Sequence, residues 1–162
     1  MVAPQYQDKF DITDLLYRYA LAVDTDDFEQ MANIFTEDAV FILVGMEAAE
    51  WRWSVAEYCE FVSTIVRQCD WVVHNTSNVI VEVSGDTATA ISNLNTGYGV
   101  RAGENVAQFG VHSDQPIDVH IGARYRDRLV RTGSGWRIAE RVCEALFQRE
   151  QAVERLSAAA QD

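Results

Sequence analysis

Apolar residues recur at helical spacing over the first part of the chain. They form one stripe over residues 11–23, which predicts a first helix: Ile12, Leu15, Leu16, Tyr19, Ala20 and Val23. We expect Asp11 to cap this helix, with Asp14 three residues on as in a capping box. Residues 26–35 predict a short second helix. Asp24 lies between the two helices, at the edge of the apolar stripe.

A third helix is predicted over residues 53–69, where Ser54 is a suitable N-cap and Glu57 completes a capping box with it. Elsewhere the apolar period changes from that of a helix to that of a strand. Five segments fit strands separated by turn signals: residues 36–45, 74–83, 87–100, 118–130 and 135–147. A long connection over residues 101–117 precedes the last two strands. The polar residues 148–162 predict a peripheral C-terminal helix or tail.

Helices come first in this order and long antiparallel strands follow, which is typical of an α+β protein. We expect one domain over residues 1–162, with the N-terminal helices packed on a strongly curved, mostly antiparallel sheet. A bent sheet covered on one side encloses a cavity, and such cavities are the usual ligand sites. Asp24 is then either a solvated acid at a helix end or a base at the mouth of a pocket.

The charge balance narrows the class of partner. The chain has 13 basic and 25 acidic residues and a formal net charge of -12, whereas nucleic acids and anionic membranes need a positive face. Three cysteines without a CxxC pair indicate free thiols in a reducing cytoplasm. No signal peptide and no apolar run of about 20 residues is seen, so we expect no membrane partner.

Motifs for metals and common cofactors are absent from the sequence. The three histidines have no metal-binding spacing, and no GxGxxG, P-loop or GxSxG motif occurs. We therefore expect no metal and no cofactor. Any chemistry has to come from the side chains themselves.

Four segments carry motifs: D-x-x-D-L-L-Y-R-Y-A-x-A-x-D at 11–24, F-T-E-D-A-x-F at 35–41, H-N-T-S-N-x-x-V-E-V at 74–83 and G-W-R-I-A-E-R at 135–141. Together they resemble the SnoaL-like branch of the NTF2-like superfamily over about residues 8–147. The branch includes polyketide cyclases, scytalone dehydratase, bile-acid dehydratases and the lindane dehydrochlorinase. The resemblance implies a cone-shaped α+β barrel, and it identifies the fold more sharply than the reaction.

The resemblance also implies site residues. In the dehydratases and the dehydrochlorinase, an acid ending the first helix pairs with a histidine opening a later strand, and Asp24 and His74 hold these positions. Tyr19 matches a tyrosine of the bile-acid dehydratases, and Arg141 holds the place of an arginine in the dehydrochlorinase. The second pocket histidine of scytalone dehydratase has no counterpart here. We expect aromatic walls and two strand amides around the substrate: Phe41, Trp53, Tyr58, Phe61, Asn93 and Asn95.

The four polar residues suit proton transfer without a cofactor. A histidine is largely neutral near pH 7 and serves as a general base, while an aspartate on one ring nitrogen fixes its tautomer. Tyr19 and Arg141 are suited to donate to an oxygen that gains charge. Each residue also has a structural alternative: Asp24 as a cap of the second helix, His74 as a strand histidine, Tyr19 as core, and Arg141 as a surface ion-pair partner.

Two functions from different classes follow. The first is a cofactor-independent lyase or isomerase acting on a small hydrophobic, cyclic, oxygenated substrate by dehydration, elimination or cyclisation. The second is a non-catalytic binding or assembly subunit, like the β subunits of ring-hydroxylating dioxygenases. Under either function we expect a homo-oligomer, a dimer or a trimer, because the open face of a bent sheet needs cover.

Overall fold

The computed structural model describes residues 4–45, 50–112 and 114–153. Its helices are α1 (Pro4–Asp24), α2 (Phe28–Asn33) and α3 (Val55–Val66). The predicted capping box of α3 is confirmed, because Ser54 Oγ accepts from the Glu57 main-chain N–H and Glu57 Oε2 accepts from that of Ser54. The predicted cap at Asp11 is wrong.

Asp11 lies inside α1, where its Oδ1 accepts from Gln7 Nε2 over 2.7 Å. The helix begins at Pro4, because proline fits the first helical position, where its missing N–H has no partner to lose. The residues added before Asp11 are mostly polar and exposed, so the apolar period that revealed the rest of the helix does not mark them.

The described residues form eight strands: β1 (Phe35–Val44), β2 (Glu50–Ser54), β3 (Cys69–Ser84), β4 (Thr87–Val100), β5 (Asn105–Val106), β6 (Val111–His112), β7 (Ile117–Thr132) and β8 (Gly135–Ala152). Six of them form one sheet in the order β2-β1-β8-β7-β4-β3. The β1–β8 pair is parallel and the others are antiparallel. The short strands β5 and β6 pair with each other inside the predicted long connection.

Three strand boundaries correct the sequence predictions. The strand predicted from His74 begins at Cys69, within the predicted third helix, so His74 lies inside β3 and does not open it. Two further segments also form strands that were not predicted. Residues 50–54 form β2, where Trp53 pairs with Phe41 of β1, so the third helix starts later than predicted. Residues 148–152 extend β8, pairing with Ile117–Ile121 of β7, so no helix forms there. Both segments are held by cross-strand pairing, which overrides weak local preference. The rest of the predicted C-terminal helix or tail, residues 154–162, lies outside the described residues.

The helices cover one face of the sheet and bury it. Ile12, Leu16 and Tyr19 of α1 pack with Val62 of α3 and Leu129 of β7 in one apolar cluster. Fully burying a side chain of this kind contributes about 1.5–3 kcal/mol. A second cluster lies at the other end of the sheet, around Ile65, Val72, Tyr98, Val106 and Val119. This arrangement confirms the predicted α+β architecture.

Candidate active site

Asp24 is fixed by the way α1 ends. Asp26 has a left-handed backbone, with φ of 58°, and its N–H bonds to the Val23 carbonyl over 3.3 Å. The Asp27 N–H bonds to the Ala22 carbonyl over 2.9 Å. These two bonds form a Schellman motif, which ends the helix at Asp24 with Thr25 as its C-cap. The same turn leaves the Asp27 side chain free to cap α2, so Asp24 is not the cap.

His74 lies on β3, which is an edge strand of the sheet. Its main-chain N–H donates to Asp24 Oδ2 over 2.9 Å, and its ring Nδ1 lies 2.6 Å from Asp24 Oδ1. The Asp24 carboxylate therefore accepts a hydrogen bond from the main-chain N–H of this edge strand and orients the imidazole at the same time. The His74 side chain is 4% exposed and that of Asp24 is 19% exposed, so the pair is nearly out of water.

The contacts of His74 decide which ring nitrogen carries the proton. A carboxylate only accepts hydrogen bonds, so Nδ1 carries the N–H of this contact, and in the neutral ring Nε2 is the nitrogen that holds the lone pair. The Tyr98 hydroxyl lies 3.3 Å from Nε2 and donates to it. Burial raises the pKa of Tyr98, so this hydroxyl holds its proton at neutral pH.

His74 opens into a cavity of about 500 Å³ between the helices and the sheet. The wall is built from α1, β1 to β4, α3, the connection around β5, β7 and β8. The described lining residues are Val23, Phe41, Leu43, Gly45, Trp51, Trp53, Tyr58, Phe61, Val62, Ile65, His74, Leu94, Thr96, Tyr98, Ala107, Gln108, Ile121, Ala123, Tyr125, Cys143, Ala145, Phe147 and Gln148. Exposed members such as Trp51 and Gln108 mark its opening.

Stacked aromatic rings form one wall of the cavity. The rings of Phe41 and Tyr58 stack with their centroids 3.5 Å apart, and those of Trp53 and Phe61 stack at 4.8 Å. All four residues were predicted to surround the substrate, and all four line the cavity. Such a wall favours a flat, apolar ring as ligand.

Charged side chains are missing from the part of the cavity wall that the structure describes. No Lys, Arg, Asp or Glu lines it, so its polar side chains are hydroxyls, amides, two indoles, one thiol and the His74 ring. Burial raises the pKa of the lining thiol, Cys143, to about 12. Within the described ranges, no three His, Cys, Asp or Glu side chains are grouped to hold a metal ion. No helix in those ranges is long and apolar enough to cross a membrane.

Tyr19 and Arg141 lie behind the cavity wall, which corrects their expected contact with substrate. The Tyr19 hydroxyl is 2.7 Å from that of Tyr58, and only Tyr58 reaches the cavity. The Arg141 guanidinium, 1% exposed, makes two hydrogen bonds of 2.7 and 2.9 Å to Asp127. It lies 4.1 Å from the ring centroids of both Tyr19 and Tyr125. Arg141 therefore supports the tyrosines from inside the core.

The pKa values of these buried groups fit that placement. Burial raises the pKa of Tyr19, and it raises the pKa of Tyr58 and Tyr125 well above their ordinary value. Burial alone would lower the pKa of Arg141, but the charge and hydrogen bonds of Asp127 raise it. The three tyrosines stay neutral and Arg141 stays charged at physiological pH.

Asn93 and Asn95 lie on the opposite face of β4, so the prediction that they line the pocket is wrong. Successive strand side chains alternate in direction, and it is Leu94, Thr96 and Tyr98 that face the cavity. Asn93 Oδ1 accepts from Arg124 Nε over 3.4 Å, and Asn95 lines a separate depression on the outer face.

Tyr98 is the polar site residue that sequence reasoning missed. It lies two residues beyond Thr96, which pairs directly with His74 across β3 and β4. A residue two positions along from a direct pair is its diagonal neighbour on the same face. The signal for Tyr98 lies in the register of the β3–β4 hairpin, which the sequence pattern does not give.

Comparison with known proteins agrees with the fold. An NTF2-like protein with a cystatin-like fold from Novosphingobium aromaticivorans is 23% identical, with a TM-score of 0.66 over 88% of this chain and 84% of that one. The hexachlorocyclohexane dehydrochlorinase LinA-type3 from Novosphingobium barchaimii is 17% identical, with a TM-score of 0.72 over 94% and 96%. The chain thus shares the α+β, cystatin-like fold of these proteins, with a cavity between its helices and its sheet.

The family follows from the sequence match. Residues 4–142 match the SnoaL-like domain, and the chain belongs to this family. The predicted family resemblance is confirmed. An uncharacterized protein of Mycobacterium tuberculosis, Rv2910c, is 28% identical over 148 residues, which are 90% of each chain.

Proposed function

We propose that the chain is a cofactor-independent lyase or isomerase acting on a small hydrophobic, cyclic, oxygenated molecule. The observation that carries the proposal is the 2.6 Å contact between Asp24 Oδ1 and His74 Nδ1, with His74 lining a cavity whose described wall holds no Lys, Arg, Asp or Glu. An oriented, buried imidazole whose second nitrogen faces a ligand cavity is what a general base needs.

The proposed chemistry begins with proton removal from carbon. His74 Nε2 takes a proton next to a carbonyl or a leaving group, and Asp24 stabilises the imidazolium that forms. Loss of water, loss of another leaving group, or ring closure then completes dehydration, elimination or cyclisation. The lyase side of the proposal is supported by the fold shared with LinA-type3, which is named a dehydrochlorinase.

The cavity walls support the proposed substrate class. The stacked rings of Phe41 with Tyr58 and of Trp53 with Phe61 offer flat apolar surface, while the wall also carries the polar side chains of Thr96 and Tyr98. A volume of about 500 Å³ lies within the range of about 300–1,000 Å³ of small-molecule sites.

The test is turnover of a panel of neutral cyclic hydroxy-ketones, beginning with 3-hydroxy-1-tetralone, whose dehydration gives the fluorescent 1-naphthol. We expect His74→Gln to lower the rate by about 10²–10⁴-fold with the fold intact, as for removal of a general base. His120→Gln is the matched control, since His120 lies in the outer-face depression. Full activity in His74→Gln would show the mechanism to be wrong.

The competing function is a non-catalytic assembly subunit. It predicts a larger partner and no use for the contact between Asp24 and His74. No turnover on any panel member, together with copurification of an iron–sulfur subunit, would favour that function over the lyase.

We also propose that the chain works in the cytoplasm as a homo-oligomer, a dimer or a trimer. Support comes from apolar side chains left exposed on the outer face of the sheet, among them Val73 and Ile91. Patches of this kind on a folded chain are typical of interfaces. Sedimentation equilibrium gives the mass directly, and a monomer would exclude this proposal.

A further inference from the structure

The Tyr98 hydroxyl lies beside the proposed base in the cavity wall. It lies 3.3 Å from His74 Nε2, and both side chains line the cavity. The two rings meet edge to face, with centroids 5.8 Å apart and planes at 85°. A hydrogen bond of 3.3 Å is longer than the usual O–H···N distance, so the hydroxyl gives it up readily to a better partner.

A base alone does not complete the loss of water from a hydroxy-ketone. After proton removal, Nε2 carries a proton that it has to lose before the next turnover. The departing hydroxyl, in turn, needs a proton to leave as water, because hydroxide is a poor leaving group. An acid next to both Nε2 and the substrate would connect these two requirements.

We propose that Tyr98 is a second catalytic residue, the acid that protonates the leaving group and is recharged by His74. This inference rests on the proposed function and adds the route by which the proton returns. Among the described residues, Tyr98 is the side chain whose hydroxyl is bonded to Nε2. Tyr58, another cavity hydroxyl, is bonded to Tyr19 instead.

The step balances without any further reactant. The C–H bond next to the carbonyl breaks, its proton goes to Nε2, and its electron pair forms the new C=C bond. The C–O bond breaks as the leaving oxygen takes the Tyr98 proton. The proton on Nε2 then passes to the Tyr98 oxygen, so that the substrate has lost one molecule of water and both side chains are as they began.

The other polar groups near the dyad serve different purposes in this scheme. Asp24 only accepts, holding Nδ1 and the main-chain N–H of His74, so it supplies no proton. The buried Tyr98 side chain is 8% exposed and has the shape of phenylalanine apart from its hydroxyl. Tyr98→Phe therefore removes the proposed acid with little change in volume.

Two reactions measured on the same variants separate the base from the acid. The first is hydrogen–deuterium exchange at C2 of 1-tetralone in D₂O, followed by mass spectrometry, which needs the base but has no leaving group. The second is dehydration of 3-hydroxy-1-tetralone to 1-naphthol, which needs both. We expect Tyr98→Phe to lower dehydration by about 10²-fold or more, as for loss of a general acid, and to leave exchange near the wild-type rate.

The outcomes distinguish this inference from the function on which it rests. Equal losses of exchange and dehydration in Tyr98→Phe would make Tyr98 a positioning residue, and unchanged dehydration would remove it from the mechanism. Either result overturns the relay. Wild-type protein that catalyses neither reaction, or His74→Gln that keeps both, would overturn the proposed function itself.

A matched control is available on the same chain. Tyr17 is an exposed tyrosine of α1, so Tyr17→Phe removes a hydroxyl remote from the cavity and is expected to change neither rate. Thermal denaturation of Tyr98→Phe and Tyr17→Phe is used to check that both variants are folded before their rates are compared.

Discussion

Asp24 holds His74 through two different atoms, and this double contact sets what a single substitution does. One carboxylate oxygen accepts from the main-chain N–H of His74 over 2.9 Å and the other lies 2.6 Å from ring Nδ1. An asparagine has the same shape but only one accepting oxygen. Its NH₂ group has to face either the edge amide or Nδ1.

Asp24→Asn is therefore expected to keep the fold and lose the reaction. An NH₂ group facing Nδ1 donates to it and moves the ring proton to Nε2, so the base has no lone pair toward the cavity. A wrong tautomer of this kind costs about 10⁴-fold in a serine protease triad, and we expect a loss of about 10³–10⁴-fold here. Dehydration rates give the loss, and ¹⁵N shifts of the His74 ring report the tautomer. Turnover near that of wild type would contradict the assigned role.

Arg141 and Asp127 form a second buried polar pair, and the role of this pair is structural. Their side chains are 1% and 0% exposed and are joined by two hydrogen bonds. The guanidinium also lies against Tyr19 and Tyr125. Arg141 Nη1 has no hydrogen-bond partner in the part of the chain that the structure describes, so Asp127 alone balances the charge there.

Removing Asp127 should destabilise the protein strongly. Asp127→Ala leaves a buried, unpaired guanidinium, which costs about 3–5 kcal/mol in the free energy of unfolding, whereas replacing both partners by apolar residues costs less. Urea unfolding of Asp127→Ala and of the double variant Asp127→Leu with Arg141→Met gives both values. A double variant less stable than Asp127→Ala would show that the pair does more than neutralise itself.

At the scale of the element, α1 is held to the sheet at both ends. Near its start, Asp8 Oδ2 bonds to Arg131 over 2.8 Å and Asp8 Oδ1 accepts from Trp136 Nε1 over 3.2 Å. Its last residue, Asp24, holds His74 of β3. Both contacts bridge distant parts of the chain, so docking of α1 and formation of the site depend on one another.

The Asp8 contact predicts a pH-dependent contribution to stability. The hydrogen bond from Arg131 lowers the pKa of Asp8 below its ordinary value. A carboxyl with a lowered folded-state pKa stabilises the fold above its unfolded pKa of about 4, and this contribution disappears as the pH falls through the lower folded value. The melting temperature of Asp8→Asn should lie below that of wild type at pH 7.

The same difference in melting temperature should shrink below about pH 4 and vanish in stronger acid. Asp11→Asn is the matched control, because Asp11 is an exposed acid on the same helix whose side chain bonds only to Gln7 among the described residues. A difference between Asp8→Asn and wild type that persists unchanged at low pH would show that charge is not its cause.

Elements with strong local signals were predicted well from the sequence. The Ser54–Glu57 capping box located α3, and alternation with turn signals gave β4 at residues 87–100. The start of α1 and the strand at residues 50–54 were missed. They depend on a polar helical turn and on pairing with β1, and neither leaves an apolar period in the sequence.

The site residues likewise include some that the sequence predicted and some that it did not. The pairing of Asp24 with His74 was expected from family resemblance, and the structure brings the two into contact. Asn95 was expected in the pocket, but side chains alternate along β4 and it lies on the outer face. Arg141 was also expected there, because the sequence does not show that it pairs with the buried Asp127 of a neighbouring strand. Contacts across the sheet were therefore what the sequence alone could not supply.

At the scale of the whole molecule, the charge of the surface and that of the cavity differ. The chain carries a formal net charge of -12, whereas no Lys, Arg, Asp or Glu lines the described part of the cavity. A negative surface disfavours the approach of anions, and an apolar wall without a cation gives a carboxylate no partner once inside. Both effects select neutral ligands.

Neutral ring compounds should therefore bind far better than acids of the same shape. We expect 1-naphthol to bind and 1-naphthoate to bind at least about 100-fold more weakly, since burying an unpaired carboxylate costs several kcal/mol. Quenching of tryptophan fluorescence gives both affinities, since Trp51 and Trp53 line the cavity. The Trp53→Phe variant tests whether Trp53 is the source of the signal. Added salt should narrow the gap by screening the surface charge but leave most of it, because the desolvation cost inside the cavity is not screened. Equal binding of the two compounds would mean that a cation reaches the bound carboxylate, and the neutral-substrate assignment would then be wrong.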